Sequence, residues 1–149
     1  MRDRTAPRPA IVVSACLLGV RCNHRGGASP SAAAMKLADE FRLIAVCPET
    51  VGGLPTPRPA AERRPNGRVV TDEGTDVTNA YARGAAAAVE LARVTGARRA
   101  VLKARSPSCG CHQIYVDQQL VDGEGVTAQA LREAGLDVRS EEDLNGGRR

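Results

Sequence analysis

Tryptophan is absent, and Phe41, Tyr81 and Tyr115 are the only aromatic residues among 149. Single-stranded nucleic acids are held largely by stacking on aromatic side chains, so that mode of binding has almost nothing to work with here. Long hydrophobic runs are missing too: no stretch approaches the roughly 18 apolar residues of a membrane span. The opening MRDRTAPRPA is too polar for the apolar region of a secretory signal. These absences predict a cytoplasmic chain, where thiols stay reduced. Lysine is scarce, with Lys36 and Lys103 alone among 21 basic residues. The net charge of +4 is carried entirely by Arg2, Arg4, Arg8, Arg148 and Arg149, less Asp3. Between those ends acids and bases cancel, which argues against a basic track for a polynucleotide. A small-molecule site is expected, with no nucleic acid and no membrane as partner.

Five cysteines stand out against that background. Cys16 and Cys22 lie in VSACLLGVRCNHRGG, Cys47 in AVCPETVGGLPTPRPAAE, and Cys109 and Cys111 in LKARSPSCGCH. Each stretch begins where an apolar, β-like run gives way to Gly, Pro and Ser. In an open parallel sheet such strand ends share one edge, where these folds bind ligands. Residues distant in sequence are therefore expected to converge.

Hydrophobic patterning supports that layout. AIVVSA (10–15), RLIAV (42–46) and RRAVLK (98–103) read as core strands. Ser29 and Pro30 form a helix-start pair for a helix running to about Glu40. NAYARGAAAAVELARV reads as a helix capped by Asp76 or Thr78 and ended near Gly96. Residues 47–75 form a long Pro- and Gly-rich connection, with a small hairpin arm at RVVT (68–71). Gln113–Val116 and Gln119–Val121 flank a tight turn off the main edge, Thr127–Ala134 is a helix stopped by Gly135, and LDVR (136–139) is a last strand. Strands alternating with helices predict one α/β domain over residues 10–144, with a mostly parallel sheet. Residues 1–9 are expected as a disordered arm and 145–149 as a flexible tail.

What the cysteines do is open at this level. Free cysteine packs well as a small buried hydrophobe. Zinc is weakened by spacings that miss the paired Cys-x2-4-Cys pattern. A cysteine nucleophile would have only His24 and His112 as bases. An iron–sulfur cluster needs thiolates near one point and not near in sequence; three of them, one per stretch, would leave one iron of a four-iron cluster free to act as a Lewis acid. Glu49, two residues beyond Cys47, is a solvated loop carboxylate or a general base beside a site. Ser106 and Ser108 around Pro107 serve either turn geometry or a hydroxyl directed at substrate. Arg58, between two prolines, and Glu62 are linker residues unless Arg58 is fixed to orient a polar ring. Lys103 reads as a structural charge.

The motifs SACLLGVRCNHRGG, CPETVGGLPTPRPAAE, TDEGTDVT, SPSCG and VDGEGVTAQALREAG together resemble the thiouracil desulfidase family, over about residues 11 to 143. The resemblance implies a Rossmann-like domain and a [4Fe-4S] cluster on three cysteines, its fourth iron open to the sulfur of a thiolated base. On matching positions the implied ligands are Cys16, Cys47 and Cys109, with Cys22 in reserve. Glu49 matches the acidic residue taken as catalytic, as a general base, and Ser106 the assisting serine; Arg58 and Ser108 are the expected substrate contacts. Two positions depart from the family pattern: His24 stands where a tyrosine is expected, and Cys111-His112 replace small residues.

The implied reaction is non-redox desulfuration, C=S to C=O with release of hydrosulfide, on a thiolated base such as thiouracil. Two rivals belong to other classes: a cluster-bearing sensor without turnover, and a zinc- or thiol-dependent hydrolase. Colour separates the last from the others, since protein purified without oxygen is brown with a cluster and colourless with zinc alone.

Overall fold

A computed structural model describes residues 7–147. In chain order the regular elements are β1 (Ala10–Ser14), α1 (Ala32–Lys36), β2 (Arg42–Val46), α2 (Pro48–Val51), β3 (Ala61–Arg63), β4 (Val69–Thr71) and α3 (Thr78–Thr95). There follow β5 (Arg99–Leu102), β6 (Gln113–Val116), β7 (Gln119–Asp122), α4 (Val126–Glu133) and β8 (Asp137–Ser140). Three 3-10 segments, Ala15–Leu18, Leu37–Asp39 and Glu141–Gly147, complete the set.

The central sheet has the order β2-β1-β5-β8, and every pairing in it is parallel. Ser14 stands opposite Val46, and Leu102 opposite Ser140, so the strands finish together on one edge. The chain runs outward from β1 to β2 and then returns to β5 on the other side. The strand order therefore reverses between β1 and β5, and a crevice opens there.

Alternation along β1 explains the two layers. Ala10 and Val12 face Ala88 and Ala92 of α3 and Ala128 and Leu131 of α4. Ile11 and Val13 face Leu17 and Ala34 on the opposite side, with Phe41, Leu43 and Leu144 packed around them. All five residues of β1 are buried, as its β-branched run predicts. The α/β expectation and the parallel sheet stand. No helix among the described residues is long and apolar enough to cross a membrane.

Several local expectations need correction. Ser29 does not cap α1: its N–H donates to Cys16 O at 3.0 Å and Ser31 N–H donates to Leu17 O at 2.9 Å. That tie holds the segment against the first cysteine turn, and Ser31 becomes the cap, accepting from Ala34 N–H at 3.1 Å. The α-helix is then only one turn long before it tightens to 3-10 geometry. Neither Asp76 nor Thr78 is the cap residue of α3, which is Val77; Asp76 instead accepts from Thr78 N–H at 2.9 Å. Part of the expected N-terminal arm is tied down, because Arg42 donates to Pro9 O and to Arg8 O. The rest of that arm, residues 1–6, and residues 148–149 of the expected tail lie outside the described residues. Residues 145–147 continue the last 3-10 segment.

Two glycines set how closely the layers approach. A Cβ on Gly84 of α3 would lie 2.0 Å from Pro48 O, and one on Gly52 would lie 2.0 Å from Ala80 O. The short α2, and with it Cys47, is thereby seated directly on the backbone of α3. Gly125, just before α4, repeats the device, with a Cβ there falling 2.4 Å from Ser108 O.

Gly84→Ala is therefore expected to destabilise the protein, even though alanine is the better helix former by about 1 kcal/mol. Overpacking of about 1–3 kcal/mol should outweigh that gain. A thermal melt with an unchanged or higher midpoint would show that α2 and α3 do not need this close approach.

Candidate functional site

Cys16, Cys22, Cys47 and Cys109 all line one cavity of about 600 Å³ above the ends of β1, β2 and β5. Cys16 sits in the 3-10 turn that follows β1, a turn where sequence alone suggests an irregular loop. Its carbonyl receives Ser29 N–H at 3.0 Å, and Gly19 closes the turn at φ 94°. Cys47 precedes α2, whose first residue is Pro48. Cys109 is buried at the end of a turn built by Ser106, whose Oγ accepts from Ser108 N–H at 3.1 Å and from Cys109 N–H at 2.9 Å. All five cysteines are free thiols.

The thiols feel one another. Burial pushes Cys16 up to about 11, with the Cys47 charge second. Burial pushes Cys22 up to about 12, again with Cys47 next, to which it is also hydrogen-bonded. Cys109 is raised by burial and then by Glu49, while a hydrogen bond from Ser14 pulls the other way. Ser14 also accepts Lys103 N–H at 2.9 Å, so it bridges the ends of β1 and β5 at the reversal point. Crowded, desolvated thiols resist ionisation unless a cation lies among them. Soft sulfur donors from three strand ends fit an iron–sulfur cluster well, because bound iron deprotonates its thiols outright.

Glu49 lies beside these sulfurs and is held from two directions. Tyr81 Oη donates to its Oε2 at 3.3 Å, and Arg58 Nη2 stands 3.7 Å from the same oxygen. Burial, then the Glu49 charge, raises the Tyr81 phenol far above its ordinary range and keeps it a donor. Arg58 is nearly buried and heavily engaged: Nη2 donates to Cys22 O at 2.8 Å and Nη1 to Pro55 O at 3.2 Å. It lines the cavity, and its donors hold the Cys22 loop and Glu49 in place.

Ser106 reaches the cavity, and Ser108 does not. The Ser108 side chain is fully buried and shares a 2.8 Å hydrogen bond with Thr127 of α4. Its expected contact with substrate is corrected by that position: Ser108 secures the Cys109 turn to α4. Cys111 lies outside the cavity wall. His24 is in the wall, and its carbonyl accepts Arg58 N–H at 2.8 Å.

Other lining residues have no sequence signal of their own. Lys103, expected to be a structural charge, lines the cavity and lies 3.5 Å from Glu141 Oε2. Tyr115 and Gln118 of the β6–β7 hairpin reach over the opening. Glu62, expected to be a linker residue, fixes that hairpin: its carboxylate accepts Asp117 N–H at 2.7 Å and Gln118 N–H at 3.0 Å. Both turn residues have positive φ, 51° and 64°, which a tight hairpin turn requires. Tyr81 is one of the chain's three aromatics and stands just after the Pro-rich segment, a weak signal; Ser14 had only its place at a strand end.

Comparison with known proteins identifies similar chains. The family model for 2-thiouracil desulfurase matches residues 11–143. A solved structure of the [4Fe-4S]-dependent thiouracil desulfidase TudS superposes with a TM-score of 0.85 at 44% identity, covering 92% of this chain and 93% of that one. The uncharacterised protein YbbK of Bacillus subtilis (strain 168) is 39% identical over 147 residues, covering 91% of this chain and 97% of that protein.

The thiol shifts carry a sign that can be measured in cluster-free protein. A thiol whose folded value is raised from 9.0 to about 11 holds its proton more tightly in the folded state. That contribution is complete below the unfolded value and is lost as pH rises through the folded one. Cluster-free protein should therefore lose stability towards urea between about pH 9 and pH 11. A flat profile across that interval would mean that Cys16 is not buried and set beside Cys47 as described.

Proposed function

The chain belongs to the 2-thiouracil desulfurase family, and from that premise we propose that it removes sulfur from a thiolated nucleobase such as thiouracil. It is an enzyme, with a [4Fe-4S] cluster as its cofactor. We assign Cys16, Cys47 and Cys109 as the residues that hold the cluster, with Cys22 in reserve. The observation that carries this reading is the convergence of these thiols with Glu49 on one cavity at the strand-order reversal. When bound there, the cluster supplies Lewis acidity towards a thione sulfur.

The rest of the chemistry belongs to side chains. Glu49 accepts a proton from the water that attacks the ring carbon. Arg58 and Tyr81, both on its Oε2, aim that carboxylate. Ser106 already accepts two backbone N–H groups, so its own hydroxyl is free to donate a hydrogen bond to the ring. The water oxygen becomes the carbonyl, and the sulfur leaves as hydrosulfide. Of the two water protons one goes to Glu49 and the other leaves on the sulfur, and no electrons change hands, so the reaction needs no redox partner. A free base suits a cavity of about 600 Å³ roofed by a hairpin, and a chain with five free thiols suits the cytoplasm.

Glu49→Gln separates an enzyme from a sensor. The amide keeps the shape but cannot take the proton, so the cluster should remain while sulfide release falls by about 100-fold or more. The assay is anaerobic incubation with 4-thiouracil, following loss of thione absorbance and appearance of sulfide. Undiminished turnover in the variant would remove Glu49 from the mechanism. A fully loaded wild-type protein with no turnover on any thio-base would favour the sensor.

A further inference from the structure

Cys111 and His112 take no part in the cavity, yet they are not isolated. They meet Asp143 of the last 3-10 segment, and one potential ligand atom from each of the three lies within 4.8 Å of the others. Among the described residues this is the one such convergence of cysteine, histidine and acidic side chains. His112 Nε2 stands 2.8 Å from Asp143 Oδ2. The same carboxylate oxygen accepts Ser140 N–H at 2.9 Å, which fixes its direction from the end of β8. Cys111 is half-buried, packed against the sheet core, while His112 is exposed to solvent.

We propose that Cys111, His112 and Asp143 form a second, mononuclear metal site that takes zinc. One thiolate, one imidazole and one carboxylate make a mixed borderline set of the kind zinc accepts. Around a tetrahedral ion such donors stand about 3.5 Å apart, so small side-chain rotations close the observed cluster. Binding releases the thiol proton and leaves the imidazole neutral. Three protein ligands leave a fourth position, which opens to water on the exposed His112 side. None of the three residues lines the main cavity, so this ion does not compete for the cluster's place.

The ion would have a definite mechanical effect. Cys111 and His112 lead from the Cys109 turn into β6, and Asp143 follows β8. Metal here ties the segment after β8 to the start of the hairpin that roofs the cavity.

The test uses cluster-loaded protein, washed with a mild chelator and titrated with zinc chloride under anaerobic conditions. Zinc, iron and sulfide per chain are measured together, and the zinc environment is read by X-ray absorption at the zinc edge, to which iron is silent. The expected result is one tight zinc per chain, with one sulfur at about 2.3 Å and nitrogen or oxygen at about 2.0–2.1 Å. Cys111→Ser and His112→Gln should each weaken zinc binding by more than about tenfold, with iron and sulfide unchanged. A wild-type spectrum without sulfur, or with several sulfurs, overturns the proposal, the latter by placing zinc among the cluster cysteines. So does zinc binding that survives both substitutions, or iron that is lost with the zinc. The wild-type spectrum decides the matter even where a variant fails to fold.

Discussion

Parallel pairing of β2, β1 and β5 is the constraint from which the site follows. Parallel strands cannot be joined by tight turns, so each must be followed by a crossover that leaves from the same edge. The three segments that leave β1, β2 and β5 are the three that carry cysteine. Register does the rest, since Ser14 is level with Val46 and the end of β5 is tied to Ser14 by a hydrogen bond. The thiols are gathered by the sheet and then fixed by glycine contacts, with Gly52 and Gly84 seating the Cys47 side and Gly125 the Cys109 side.

The electrostatics of the cavity have two halves that oppose each other. On one side burial and mutual repulsion keep Cys16, Cys22 and Cys109 protonated. On the other, Lys103, Arg58 and the Ser14 hydroxyl favour negative charge at the same place. A cationic iron core bound among these thiols would resolve this tension, because it would supply the positive charge that the thiolates lack. Glu49 adds to the first half, since its charge also raises Cys109 and Cys16, while Tyr81 and Arg58 hold it facing the same space.

Strands and helices were legible where a single residue pattern decides them. The β-branched AIVVS run could only be a buried strand, and the alanine-rich α3 closed at Gly96, in left-handed conformation, as its composition implies. The start of α1 was misread because Ser29-Pro30 carries a local capping signal, whereas its backbone answers to Cys16 and Leu17 across the turn. The same distinction runs through the site. Cys47 and Glu49 were visible as neighbours in a stiff turn, and Ser106 as part of a turn motif. Ser108 was assigned to substrate because sequence shows spacing but not facing; Thr127 on α4 decides the facing. Tyr81, Ser14 and Lys103 act through contacts that exist only after folding. The last 3-10 segment had no sequence signal of its own and was not anticipated.

The β6–β7 hairpin overhangs the cavity but shares no strand pairing with the central sheet. Its turn is clasped by Glu62 from β3, and its outer residues Leu120 and Val121 face solvent. Under the proposed function, reaction and recognition would be housed in separate parts, a floor of thiols with Glu49 and a canopy to which Tyr115 and Gln118 contribute. Substitutions in the canopy can alter which heterocycles are admitted without shifting a single sulfur on the floor. On that reading, diversification of such a fold towards new thio-bases would have an open route, one that leaves the thiol-bearing sheet edge untouched.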